Sequence, residues 1–217
     1  VIDAIAFDLD GTLIASEQRW EAARRAVTEE SGGRWREDAQ PTMMGLSTAE
    51  WTSYMRRELE IPLGGEEIVD RVMAQLERSY REDLPLIEGA LDAVERLGAR
   101  WPLAIASSSP RSLIELVLGL AGVRNAFDVV ISSAEVARGK PSPDVFLRAC
   151  ELLGSRPAAT PAIEDSGAGV FAARAAGMPV VLIPGTEFPP KPEVLDEADV
   201  VLGSLAELTV ERVESLG

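Results

Sequence analysis

Ala6-Phe7-Asp8-Leu9-Asp10-Gly11-Thr12-Leu13 is the stretch from which the fold is read. An apolar run, Ile2–Phe7, stops in two carboxylates two residues apart. Charged groups at the tip of a buried strand cost free energy unless they are paired or bind a cation. While a strand stays extended, residues i and i+2 face the same side, so Asp8 and Asp10 are expected to point together. Gly11 then permits a sharp turn whose successive N–H groups can face an anion. Taken alone, the stretch also reads as a carboxylate-rich turn or a fragment of a calcium-binding loop.

Similar apolar runs recur at Pro102–Ala106, Val129–Ile131, Pro161–Ile163 and Val180–Ile183, with a weaker one at Val200–Leu202. Most are continuous rather than alternating, as central strands covered on both sides should be. Helical spacing lies between them, in Leu113, Ile114, Val117 and Leu120, and in Val145, Phe146, Ala149, Cys150 and Leu153. Ser109-Pro110 reads as a helix cap followed by Pro at the first helical position. The pattern predicts an α/β fold: a parallel sheet with helices on both faces, its ligand crevice at the carboxyl ends of the strands.

The alternation breaks between Ser16 and about Leu84. Trp20, Ala23 and Val27 form one helical face, and Val69, Val72, Met73, Leu76 and Tyr80 another. Residues 16–84 are therefore expected to form a separate helical lobe, with 1–15 and 85–217 forming the sheet domain. The connections fall near Ile14–Ser16 and Asp83–Leu86, where hinge motion is expected. The competing reading lays these helices over one face of the sheet.

Composition bounds the chemistry. The 217 residues are 46% hydrophobic and 26% charged, enough for a real core. No run approaches the roughly 18 apolar residues of a membrane span. A net charge of −15 opposes nucleic acid and anionic membranes, so neither is expected as a partner. There is no His, which excludes His-based nucleophile activation and His-ligated metals. Cys150 is the one Cys, which excludes a disulfide within the chain and a thiolate zinc cage. The start shows no basic region followed by an apolar core, so a cytoplasmic location is expected. Catalysis must then use carboxylates, hydroxyls, amines or a metal held by oxygens.

The other strand ends supply such groups. Ser107 sits at a strand tip where its hydroxyl can meet an oxyanion, although Ser107, Ser108 and Ser109 also read as turn and cap residues. Gly139 and Pro141 can fix Lys140 in its loop, although a loop Lys is more often solvated. Glu164 and Asp165 form a second acidic pair, with a helix cap at Asp165 or Ser166 as the competing reading. Together, Asp8, Asp10 and Asp165 can hold Mg²⁺ through oxygen ligands, while Lys140 and Ser107 hold a phosphate. Asp8 can then attack phosphorus, giving an aspartyl-phosphate. A carboxylate nearing a phosphate meets like charge, roughly 4 kcal/mol per unit pair at about 4 Å and an effective dielectric of about 20. Mg²⁺ and Lys140 offset that repulsion. Asp10 is the natural proton carrier, first to the leaving alcohol and then from the hydrolytic water.

The set Asp8-Leu9-Asp10-Gly11-Thr12, Ser107, Gly139-Lys140-Pro141 and Glu164-Asp165 resembles the haloacid dehalogenase (HAD) superfamily of phosphohydrolases, over essentially the whole chain. The resemblance implies a Rossmann-like core with an inserted α-helical cap. It implies Asp8 as nucleophile and Asp10 as acid/base. Mg²⁺ would be held by Asp8, the Asp10 backbone carbonyl and Asp165, with Glu164 as an extra ligand. Thr12, Ser107, Ser108 and Lys140 would bind the phosphate. Asp10 disfavours the dehalogenase branch, and the absence of Lys between Ser16 and Leu84 disfavours the phosphonatase branch.

Ser16-Glu17-Gln18-Arg19-Trp20, Met44-Gly45-Leu46-Ser47, Ala106–Pro110 and Leu84–Gly89 resemble the sugar-phosphate phosphatases of the β-phosphoglucomutase-like subfamily, 2-deoxyglucose-6-phosphate phosphatases in particular. Mutases of that subfamily carry a His and an Arg where Trp20 and Thr48 stand, which favours a hydrolase unless Arg19, Arg56 or Arg57 substitutes. Trp20 and the Met43–Ser47 loop, Gly45 included, are expected to read the leaving group, although Trp20, Met43 and Met44 also suit packing. The expected protein is a monomeric, Mg²⁺-dependent phosphatase of a small phosphorylated metabolite, such as a sugar or polyol phosphate. A phosphomutase and a catalytically silent phosphate-binding module are the alternatives.

Overall fold

The computed structural model describes residues 1–44, 46–185 and 189–217. Six strands form one parallel sheet: β1 (Ile5–Phe7), β2 (Leu103–Ser107), β3 (Val129–Ser132), β4 (Ala162–Glu164), β5 (Val180–Leu182) and β6 (Val200–Val201). Their spatial order is β3-β2-β1-β4-β5-β6. The order reverses direction at β1, a switch point where α/β sheets bind ligands. The register pairs Phe7 with Ile105 and with Ile163, and Ser107 with Ser132, so the tips of the central strands end together. β1 is shorter than its apolar run, and ahead of it the Asp3 N–H donates to the Ala159 carbonyl.

Side-chain alternation sorts the strand residues onto two faces. Ala6, Ala104, Ala106 and Ala162 share one face with Val145, Phe146, Ala149 and Cys150 of α7 (Asp144–Leu153). Val170, Ala172 and Ala173 of α8 (Gly167–Ala175) complete that cluster. Small strand side chains let these helices approach closely. Phe7 alternates to the opposite face and meets Phe127 edge to face at 6.2 Å. The helices α5 (Ala90–Gly98) and α6 (Arg111–Leu120) bury Val94, Leu97, Val117 and Leu118. None of the described helices is long and apolar enough to cross a membrane.

The chain divides into two compact units, Val1–Ala15 with Pro85–Gly217, and Ser16–Leu84. In the first, the two connecting stubs are bonded to each other: the Ala15 N–H donates to Pro85 O at 2.8 Å, and the Ile87 N–H to Leu13 O at 3.0 Å. The second unit contains α1 (Glu17–Glu30), α2 (Ala39–Met43), α3 (Thr48–Arg57) and α4 (Gly65–Glu82). The buried stripe of α4 is Ile68, Val72, Leu76 and Tyr80. This corrects the expected face: Val69 and Met73 are half-buried, because the 3.6-residue repeat started at Ile68 leaves them at the stripe's edge. Ser47 caps α3 in a capping box with Glu50.

Candidate active site

The tips of β1, β2 and β4 and the loop after β3 bring the core site residues together. Asp8 follows β1 directly, and its N–H donates to Ile163 O at 2.9 Å. Its carboxylate is buried. Lys140 Nζ lies 2.5 Å from Asp8 Oδ1 and 2.6 Å from Glu164 Oε1. The Lys140 side chain is itself buried, with its ammonium 4.8 Å from the centre of the Phe146 ring. The reading of Lys140 as a solvated loop residue is therefore wrong.

Glu164 is the last residue of β4 and has no exposed surface. Besides Lys140, its carboxylate accepts from the Asp165 N–H, the Ser166 N–H and the Ser166 hydroxyl. Lys140 takes Oε1, and the other three donors share Oε2. Ser166 also caps α8, accepting from the Gly169 N–H at 3.1 Å. The cap and the acidic pair thus coexist. Gly169 is required by close approach: a Cβ built there would lie 1.7 Å from Glu164 Oε1.

Carboxylate oxygens of Asp8, Glu164 and Asp165 lie within 4.8 Å of one another. Burial holds the Asp8 carboxyl well above the usual carboxylate range, the Lys140 ammonium opposes this, and the Glu164 and Asp10 carboxylates reinforce it. Burial alone would lower Lys140, but the Asp8 and Glu164 carboxylates outweigh it and hold the ammonium charged. One ammonium shared between two carboxylates leaves excess negative charge among hard oxygen donors. That donor set fits a hard divalent cation such as Mg²⁺.

Asp10 is held from β2. Its Oδ2 accepts from the Ser109 hydroxyl at 2.7 Å and from the Ser107 hydroxyl at 3.4 Å. Ser109 is not the helix cap the sequence suggests: Pro110, with ψ 144°, holds the cap position and α6 begins at Arg111. A charge-assisted bond to a carboxylate is the stronger use of the Ser109 hydroxyl.

The turn after Asp10 also departs from expectation. Gly11 adopts φ 82°, but the Gly11 N–H donates to Ile14 O and the Thr12, Leu13 and Ile14 N–H groups to Leu9 O. Those donors close the turn and are spent, so they form no anion nest. Thr12 is buried, and its Oγ1 has no hydrogen-bond partner. Ser108 is exposed.

The remaining site candidates belong to the helical unit. Trp20 is half-buried, its ring 6.4 Å from that of Trp51, with the Arg24 guanidinium 4.8 Å and 5.1 Å from the two ring centres. Met43 is fully buried and Met44 exposed. Gly45 lies outside the described residues.

Residues 2–177 match the family of haloacid dehalogenase-like hydrolases. The chain belongs to this family. Among curated relatives of this haloacid dehalogenase-like hydrolase, Hexitol phosphatase B of Escherichia coli is 34% identical over 210 residues, covering 95% of this chain and 94% of the relative. The Phosphorylated carbohydrates phosphatase of Thermotoga maritima is 33% identical over 179 residues, 82% of each chain. Among solved structures, CbbY from Rhodobacter sphaeroides in complex with phosphate superposes with a TM-score of 0.89 at 28% identity, covering 99% of this chain and 100% of that one.

Three contributors to the site escape sequence reasoning in this family member. Ser109 looks like a cap, Ser132 like the end of an apolar strand, and Gly169 like an ordinary helix residue. The strand-tip position that Ser132 shares with Ser107 hints at Ser132 alone.

Proposed function

We propose that the chain is an Mg²⁺-dependent phosphatase of a sugar or polyol phosphate, acting as a cytoplasmic monomer through an aspartyl-phosphate. The observation that carries this reading is Lys140 clamped between Asp8 and Glu164, beside Asp165. The names of the curated relatives support the carbohydrate substrate class.

Asp8 and Asp165, with the Asp10 backbone carbonyl, would hold Mg²⁺, which supplies the positive charge that lets a carboxylate approach a phosphate. Glu164 anchors Lys140 through Oε1 while Asp165 and Ser166 donors hold its Oε2 in place. Lys140 neutralises charge on Asp8 and on the incoming phosphoryl oxygens. Ser107, Ser108 and Thr12 donate to the phosphate. An Asp8 oxygen attacks phosphorus in line while Asp10 gives its proton to the departing alkoxide. Asp10 then takes a proton from water, whose oxygen attacks phosphorus and releases inorganic phosphate, restoring Asp8. Trp20 and the Met43–Ser47 loop are proposed to select the leaving group.

A panel of hexitol and sugar phosphates, assayed for phosphate release with Mg²⁺ and with a chelator, tests this function. Mg²⁺-dependent release, abolished by Asp8→Asn, is expected. Near-normal turnover by Asp8→Asn would defeat the nucleophile assignment. Isomerisation of a sugar 1-phosphate that needs a bisphosphate primer would identify a mutase instead.

A further inference from the structure

We infer that Ser109 is a positioning residue for Asp10, and that the hydroxyls at the tips of β2 and β3 divide two tasks between them. The inference rests on Asp10 acting as the proton carrier, as proposed above. Ser109 is held at three points. Its N–H donates to Ser107 Oγ at 3.0 Å, its carbonyl accepts from the Ser132 hydroxyl at 2.7 Å, and its own hydroxyl donates to Asp10 Oδ2 at 2.7 Å. Ser132 is fixed in turn, because its Oγ accepts from the Ala134 N–H at 3.1 Å. Ser107, Ser109 and Ser132 are all buried, so these bonds are made away from competing water.

The two distances to Asp10 separate the roles. Ser107 Oγ stands 3.4 Å from Oδ2, a weak bond that its proton can leave for a phosphate oxygen. Ser109 stands at 2.7 Å, a strong charge-assisted bond. When Ser107 turns to the phosphate, Ser109 still holds Oδ2 and so fixes which way Oδ1 faces. A proton donor must sit within hydrogen-bond reach of the leaving oxygen, and small misplacements there are expensive in rate. Ser132 acts one step further out, by holding the Ser109 backbone.

The test compares leaving groups. In Ser109→Ala, kcat/KM for an alkyl phosphate such as glycerol phosphate should fall by about 10-fold to 100-fold. For p-nitrophenyl phosphate, whose leaving group needs no proton, kcat/KM should fall by no more than about 3-fold, because this ratio leaves out the later hydrolysis of the aspartyl-phosphate, in which Asp10 also acts. Ser109→Thr should restore most of the alkyl phosphate rate. An equal loss of kcat/KM for both substrates, or no loss for the alkyl ester, would overturn the inference. Wild-type chain inert towards both esters would count against the phosphatase reading instead. A crystal structure of Ser109→Ala decides the positioning role without turnover. A rotated Asp10 carboxylate is expected, and unchanged Asp10 torsions would overturn it.

Discussion

Gly169 and Glu164 fit together with no room for a β-carbon between them: one built on Gly169 would lie 1.7 Å from Glu164 Oε1. Glu164 is the buried partner of Lys140, so a helix residue with no reactive group fixes the charge balance at Asp8. Gly→Ala inside a helix ordinarily stabilises by about 1 kcal/mol. Gly169→Ala should do the reverse, destabilising the chain by about 3 kcal/mol as the buried ion pair is forced apart. Turnover should fall with it, by at least about 10-fold. Urea denaturation and steady-state kinetics measure the two effects, and a stabilised, fully active variant would contradict the packing.

Asp165 and Glu164 are neighbours with different work to do. Both belong to the oxygen cluster with Asp8, but Glu164 Oε1 also takes the Lys140 ammonium and its Oε2 takes three further donors. Asp165→Asn should shift the Mg²⁺ concentration for half-maximal activity upward by about 10-fold or more. Glu164→Gln should leave that concentration within about 3-fold of the wild type and lower the maximal rate. Equal shifts in both variants would mean that both carboxylates ligate.

The direction of the Asp8 shift gives a pH dependence. Burial, with help from Glu164 and Asp10 and against Lys140, keeps the folded-state value above the unfolded one. Between the unfolded and folded values, the folded metal-free chain holds more proton at Asp8 than the unfolded chain does. Its stabilisation is fully present below the unfolded Asp pKa of about 3.9 and fades as pH rises through the folded value. In a chelator, the melting temperature of the wild type should decline relative to that of Asp8→Asn as pH rises above the ordinary carboxylate range. Mg²⁺ affinity should increase over the same range, because binding displaces that proton. Parallel melting curves for the two proteins would refute the assignment.

Ser47 offers a test confined to the helical unit. Its hydroxyl and N–H hold Glu50 in the capping box of α3, and the same bonds lower the Glu50 pKa. Ser47→Ala should destabilise by about 1 kcal/mol. In the wild type, the Glu50 contribution is present above the unfolded pKa and lost as pH falls through the lower folded one. The gap between wild type and variant should therefore narrow in acid, as read from denaturation at successive pH values.

Much of this was legible in the residues, and the exceptions have a common cause. The six apolar runs are six parallel strands, of which β1 to β5 are buried throughout and apolar except at their tips, while β6 at the edge is partly exposed. Asp8, Lys140, Glu164 and Asp165 converge because their strands end in register at the switch point. Side-chain use is harder to read than side-chain position. Ser109 has the composition of a cap, yet Asp10, 99 residues away in sequence, claims its hydroxyl. Gly11 makes the expected turn, but local carbonyls take the N–H groups that an anion would need. Gly169 gives no local signal, since its constraint comes from a carboxylate on another element.

The paired stubs at Ala15–Pro85 and Leu13–Ile87 have an evolutionary corollary. Both ends of the helical segment leave from one small two-stranded neck, so a different segment could be grafted at the same splice points without breaking a bond of the sheet. Lineages sharing one hydrolytic engine could then diverge by exchanging this cassette wholesale, and chimaeras joined at Ala15 and Pro85 are the natural way to trade it in the laboratory.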